Sequence, residues 1–132
     1  MQLSYQQESS FDLDEILRVY QASGLNRPLA DRSRMAVMLG SANLLVTARH
    51  NGQLVGLARC LTDKAYVVYI CDLLVDNAWQ KQGIGKALLE KVQQLTGPQV
   101  MQLLLSAPSA MEYYPKVGFK ALQNAFAVLR QQ

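Results

Sequence analysis

The chain has 132 residues, half of them hydrophobic, 17% charged and with a formal net charge of +3, which fits one soluble globular domain over residues 1–132. Its basic residues are scattered and form no run, so no nucleic-acid partner is indicated, and its longest apolar stretch, Tyr66 to Val75, is interrupted by Asp72 and too short to span a bilayer. The N-terminal MQLSYQQESS lacks the basic and apolar regions of a leader, which points to the cytoplasm. Cys60 and Cys71 sit inside apolar runs, and His50 stands without acidic or thiol companions, so no metal site is expected.

In chain order, Leu3 to Gln7 reads as a short strand. Ser9-Ser10-Phe11-Asp12 reads as a helix start, with Phe11, Ile16, Val19 and Tyr20 near one face and Gly24 as the stop. Pro28 suits the first turn of a second helix carrying Leu29, Arg32, Met35, Ala36 and Leu39. Asn43 to Arg49 and Leu54 to Leu61 flank Asn51-Gly52, a pair that tolerates the positive φ of a hairpin turn. After a turn at Thr62-Asp63-Lys64, Ala65 to Val75 is apolar almost throughout and reads as a central strand.

Gln80 to Gly85, QKQGIG, then opens a helix marked by Ile84, Leu88, Val92 and Leu95 and closed by Gly97-Pro98. Val100 to Ser106 is a further strand, which the intervening helix makes parallel to the central one. Ser109 to Lys116 suggests a short helix, and Phe119 to Leu129 a last strand. The expected class is α+β, a mixed and mostly antiparallel sheet of six or seven strands flanked by helices.

A glycine pair before a helix is a phosphate-binding pattern, because first-turn N–H groups are unpaired and glycine lets an anion approach them. Two nucleotide loops are excluded by single residues. Ala87 stands where a Walker loop needs a hydroxyl, and Leu88 where a dinucleotide loop needs a third glycine. Leu73-x-Val75 followed by Gln80-x-x-Gly83-x-Gly85, and then Ala110, Tyr113-Tyr114-x-Lys116-x-Gly118-Phe119, resembles the GNAT superfamily of acyl-CoA-dependent N-acetyltransferases. Its members show L-x-V-x-P-x-x-[RQ]-x-x-G-x-G and A-x-x-F-Y-x-K-x-G-F. Asn77, Ala107 and Gln80 depart from the commoner proline, asparagine and arginine.

The resemblance implies acetyl-CoA as donor, with its pyrophosphate on the amides of Gln82 to Lys86, assisted by Gln80 and Lys81. The loop spans Gln80, Lys81, Gln82, Gly83, Ile84, Gly85 and Lys86. The pantetheine arm would lie along Leu73, Leu74 and Val75, in a slot opened by a bulge, with Val100 to Ser106 as the other wall and the Val75 N–H on the thioester oxygen. Tyr114 would protonate the departing thiolate. Asp72 is a candidate base toward the amine, or else only orients the acceptor. Tyr66 and Tyr69 could line the site, and Tyr20, Arg32 and Met35 could face the acceptor.

The implied function is transfer of acetyl to a primary amine of a small molecule, arylalkylamines and polyamines among the candidates, by direct attack in a ternary complex. A peptide or protein amine is an alternative acceptor, and a non-catalytic acyl-CoA sensor or assembly subunit an alternative role. Ala125, Phe126, Val128 and Leu129 offer apolar surface for a homodimer or for ordinary core.

Overall fold

The computed structural model describes residues 2–131. A five-stranded sheet runs in the order β1 (Leu3–Gln7), β2 (Leu44–His50), β3 (Gln53–Thr62), β4 (Val67–Val75), β5 (Met101–Leu104). The first three pairings are antiparallel and β4–β5 is parallel. Helices α1 (Leu13–Ser23) and α2 (Arg32–Ser41) precede β2; α3 (Ile84–Thr96) forms the β4–β5 crossover, and a single turn, α4 (Tyr113–Lys116), follows β5.

The sheet buries both faces, which explains the near-continuous apolar runs of β2 to β4. On one face Val46, Val55, Ala58, Val68 and Ile70 pack against Ile84, Leu88 and Val92 of α3. On the other, Leu45, Leu54, Leu57 and Leu74 meet Ile16, Val19 and Tyr20 of α1 and Met35 and Leu39 of α2. Each large apolar side chain fully buried here contributes roughly 1.5–3 kcal/mol.

Several expected boundaries move, each for a local reason. The cap of α1 is Asp12, whose carboxylate accepts the N–H groups of Asp14 and Glu15, so the serines before it stay outside. Pro28 does not start α2. It lies in a turn closed by the Asp31 N–H donating to its carbonyl, and Asp31 then caps the helix through the Arg34 N–H. The β4 strand starts at Val67 because the Asp63 carboxylate first gathers the N–H groups of Ala65, Tyr66 and Val67.

Among the described residues the sheet has five strands, not six or seven. Phe119 to Leu129 forms no strand, and Phe126 is 97% exposed. Val128 and Leu129 are exposed too, so beyond Phe119, which packs against the core, these apolar residues are not core. An apolar run becomes a strand only where an edge receives its backbone, and here none does.

Candidate active site

The β3–β4 pairing slips at one place. Arg59 faces Asp72 while Cys60 faces Ile70, so Cys71 is an extra residue on β4. Such a bulge bends its strand. The parallel pairing with β5 stops at the same point, its last pair being Ile70 with Leu104. From Cys71 to Val75, β4 therefore has a free edge, and a cleft of about 1130 Å³ opens along it. Leu73, Leu74 and Val75 line one side, and Leu104, Leu105, Ser106, Ala107 and Tyr114 the other.

Strand alternation tells which backbone groups face this opening. The Asp76 N–H donates to the Val55 carbonyl on β3, so the N–H groups of Val75 and Leu73 point the opposite way, into the cleft. The Val75 carbonyl accepts from the Gln80 side chain at 3.0 Å, which ties the loop after β4 to its free edge.

That loop leads into α3 without a side-chain cap. Gly83 occupies the cap position at φ 82°, a left-handed conformation that costs glycine nothing, and Lys81 takes φ 65° just before it. The first-turn N–H groups of α3 are thus left for an outside acceptor. Lys81, Gln82 and Lys86 are exposed around them, while the Ile84 side chain is buried beneath. Gly85 has a separate job. A Cβ there would stand 3.0 Å from the Tyr113 hydroxyl, so glycine lets α4 close on the helix start.

Tyr114 packs edge-on against Tyr113 and Phe119, at ring-centroid distances of 5.2 and 5.6 Å. Its hydroxyl makes no hydrogen bond to the protein among the described residues, yet no buried polar side-chain atom there lacks a partner; the hydroxyl therefore opens to the cleft. Burial raises its pKa above the ordinary phenol value, so it is a protonated donor at neutral pH.

Asp72 accepts three side-chain hydrogen bonds within the site. It accepts from the Arg27 Nε at 2.6 Å on one oxygen, and from the Arg59 Nε at 2.6 Å and the Tyr20 hydroxyl at 2.5 Å on the other. Burial by itself would raise its pKa, but the Arg59 and Tyr20 hydrogen bonds and the two guanidinium charges outweigh that and hold it low. Burial, and then the Asp72 charge, push the Tyr20 pKa strongly up.

Of the residues expected to face the acceptor, Tyr20 reaches the cleft wall through Asp72. Arg32 and Met35 do not. With α2 starting at Arg32 and not at Pro28, Met35 turns into the core and Arg32 pairs with Asp14 at 2.7 Å on the surface. Tyr69 lines the cleft, whereas Tyr66 is exposed away from it. Arg27, for which the sequence left solvated surface as an alternative, and Arg59, to which it assigned no role, line the cleft instead. The available signal was Arg59 standing as the only charge within the apolar run from Leu54 to Leu61.

A family model described as an acetyltransferase (GNAT) domain matches residues 16–128. The chain belongs to the GNAT acetyltransferase family. Among curated GNAT-type relatives, a protein named histone acetyltransferase TAP1 from Glycine max is 41% identical over 71 residues, covering 52% of this chain and 31% of the relative. GCN5-related N-acetyltransferase 2, chloroplastic, of Arabidopsis thaliana is also 41% identical over 71 residues, covering 52% of this chain and 28% of its own. The chain thus spans about a third of the length of these plant relatives. The GNAT fold is matched over 99% of both chains by a probable acetyltransferase from Staphylococcus aureus, with a TM-score of 0.80 at 18% identity. An aminoglycoside N-acetyltransferase in complex with CoA matches 99% of this chain and 96% of its own, with a TM-score of 0.74 at 14% identity. Among the described residues of this GNAT protein, no helix is long and apolar enough to cross a membrane, and no cluster of His, Cys, Asp or Glu could hold a metal ion.

Proposed function

We propose that this GNAT domain, residues 1–132, transfers the acetyl group of acetyl-CoA to a primary amine by direct attack in a ternary complex. The observation that carries the reading is the free β4 edge from Cys71 to Val75, continuous with the uncapped start of α3. An extended arm with two amides fits such an edge as an added strand, and a pyrophosphate fits the helix start. The residues present suit the group: the N–H groups of Leu73 and Val75 for the arm and the thioester oxygen, Ser106 on the facing wall, and the amides of Gln82 to Lys86 for the phosphates. Lys81 and Lys86 add charge at the rim. Gln80, tied to the Val75 carbonyl, shapes the loop and brings no charge.

Acetyl-CoA supplies the activated thioester. An edge N–H stabilises the negative charge that develops on its carbonyl oxygen. The amine nitrogen forms the new C–N bond as the C–S bond breaks, Tyr114 gives its proton to the departing sulfur, and the amine's proton leaves through the open cleft to water. Asp72 is assigned to positioning. A base works best with a pKa near the working pH, and the Asp72 carboxylate is held low by Arg59, Tyr20 and Arg27.

The test is acetyl-CoA-dependent CoA release over a panel of amines, alongside thermal unfolding with and without acetyl-CoA. A ligand that binds only the folded state raises the melting temperature. No rise at saturating acetyl-CoA overturns the reading. A rise with no CoA release from any amine supports the sensor alternative.

We infer further that the protein forms a homodimer through its C-terminal segment, because Leu122, Phe126, Val128 and Leu129 are each exposed and β5 is an edge strand of the sheet. Light scattering returning a monomer mass at micromolar concentration would rule this out.

A further inference from the structure

The charged lining of the cleft is predominantly basic. Arg27, Arg34, Arg59 and Arg130 line it with Asp72, so four guanidiniums against one carboxylate leave a lining charge of +3. Asp72 lies between Arg27 and Arg59 and neutralises one of them. Two of these side chains are locked in place. Arg27 uses each of its three nitrogens on the protein, with Nε on Asp72, Nη1 on the Asn26 carbonyl and Nη2 on the Cys71 carbonyl.

Arg59 is held differently. Its side chain is 11% exposed and fixed by Nε on Asp72. Its two terminal nitrogens make no hydrogen bond to the protein among the described residues, although the Tyr20 phenol sits within reach of the guanidinium. No buried side-chain nitrogen there lacks a partner, so these nitrogens open into the cleft that Arg59 lines. A guanidinium held in place through Nε, with its outer nitrogens facing the cleft, is pre-oriented to receive an anion there.

The location separates this charge from the phosphates of the donor. Arg59 and Asp72 share strand parity with Leu57 and Leu74, on the face covered by α1 and α2. The phosphate loop leads into α3, which covers the opposite face. The arginines flank the bulge, beside the N–H groups of Leu73 and Val75 where the acetyl group would end.

Resting on the acetyl-transfer reading above, we propose that the acceptor is an amino carboxylate, a small molecule whose carboxylate docks on the outer fork of Arg59 while its amine points to the free edge of β4. Guanidinium and carboxylate are planar and match as a bidentate pair. The same charge repels polyamines, aminoglycosides and lysine-rich peptides.

The experiment compares acceptors that share a primary amine and differ in the anion: phenylalanine with phenethylamine, and β-alanine with propylamine and 2-aminoethyl phosphate. CoA release at saturating acetyl-CoA gives kcat/KM. The carboxylate member of each set is expected to be faster by about tenfold or more, the worth of one charged hydrogen bond. Arg59→Gln should erase that preference, and Arg59→Lys should keep part of it. Faster turnover of the decarboxylated amine, spermidine or a lysine-rich peptide overturns the proposal, and a preference for the phosphate overturns the carboxylate assignment. If nothing turns over, N-acetyl-phenylalanine should raise the melting temperature where N-phenethylacetamide does not, and equal effects overturn it as well. Stabilisation by acetyl-CoA itself, measured first, keeps the two readings apart. Its loss sinks the donor reading, whereas its presence without a carboxylate preference sinks this inference alone.

Discussion

Arg59 on β3 and Asp72 on β4 face each other across the sheet, with Nε and Oδ2 2.6 Å apart and the aspartate side chain wholly shielded from solvent. The slip next to this pair leaves Cys71 unmatched and ends the parallel pairing, so one local irregularity both places the ion pair and opens the cleft. Removing the carboxylate leaves two guanidiniums facing each other without a counter-charge. Asp72→Asn should therefore destabilise the fold by about 3–5 kcal/mol, read from urea unfolding at pH 7. A variant that loses turnover but keeps its stability would instead mark Asp72 as a base.

Glu8 predicts an acid limb of stability. Its carboxylate accepts from Arg49 at 2.7 and 3.0 Å and from the Thr47 hydroxyl, tying the end of β1 to β2. The Arg49 hydrogen bonds, working against burial, lower its pKa from 4.5 to about 2. A depressed folded pKa contributes stability that is fully present above the unfolded value of about 4.3 and is lost as pH falls through about 2. Urea midpoints between pH 6 and pH 2 should thus fall more steeply for the wild type than for Glu8→Gln, with the two curves converging toward the acid end. Parallel curves would show that Glu8 is not a source of the acid sensitivity.

Tyr114→Phe removes the hydroxyl that opens to the cleft and keeps the ring packed between Tyr113 and Phe119. Turnover should drop by roughly 10²-fold, the lower range for a lost general acid, while the thermal shift given by acetyl-CoA stays within error of wild type. Unchanged turnover with a good acceptor takes Tyr114 out of the mechanism.

Gly85 and Tyr113 are coupled by space. Gly85→Ala puts a Cβ 3.0 Å from the Tyr113 hydroxyl, so the Tyr113 ring must give by a few tenths of an ångström at the first turn of α3, and acetyl-CoA binding should weaken. Tyr113→Phe removes the clashing atom, so the double variant should recover much of the lost affinity, and a double-mutant cycle measures that coupling. Strictly additive losses would mean that Gly85 acts through the bound phosphates and not through Tyr113.

The glycine motif, the second motif ending at Phe119 and the order of elements were all readable in the chain, because each rests on local spacing: a helix period, a turn that needs positive φ, a run apolar enough to lie inside a sheet. Gly83 is an example, since its φ of 82° follows from a strand that must turn into a helix. Two kinds of feature were not readable. The helix caps fell to Asp12 and Asp31 because a carboxylate competes locally with nearby serines and with Pro28, and the winner depends on where the chain enters. The segment after Phe119 has the composition of a strand, but strand formation needs a partner edge that composition does not specify.

By itself, then, the sequence determined the family, the glycine loop before α3 and the aromatic motif that follows β5, each of which is a pattern of closely spaced residues in the chain. The tertiary structure alone decided the charged lining of the cleft. Arg27, Arg59 and Tyr20 come from three separate elements and meet at Asp72 across sequence separations of 45, 13 and 52 residues. No spacing rule links them. They converge because the bulge at Cys71 and the packing of α1 on the sheet bring them to one buried carboxylate, and the charge they leave unpaired is visible only once those partners are in place.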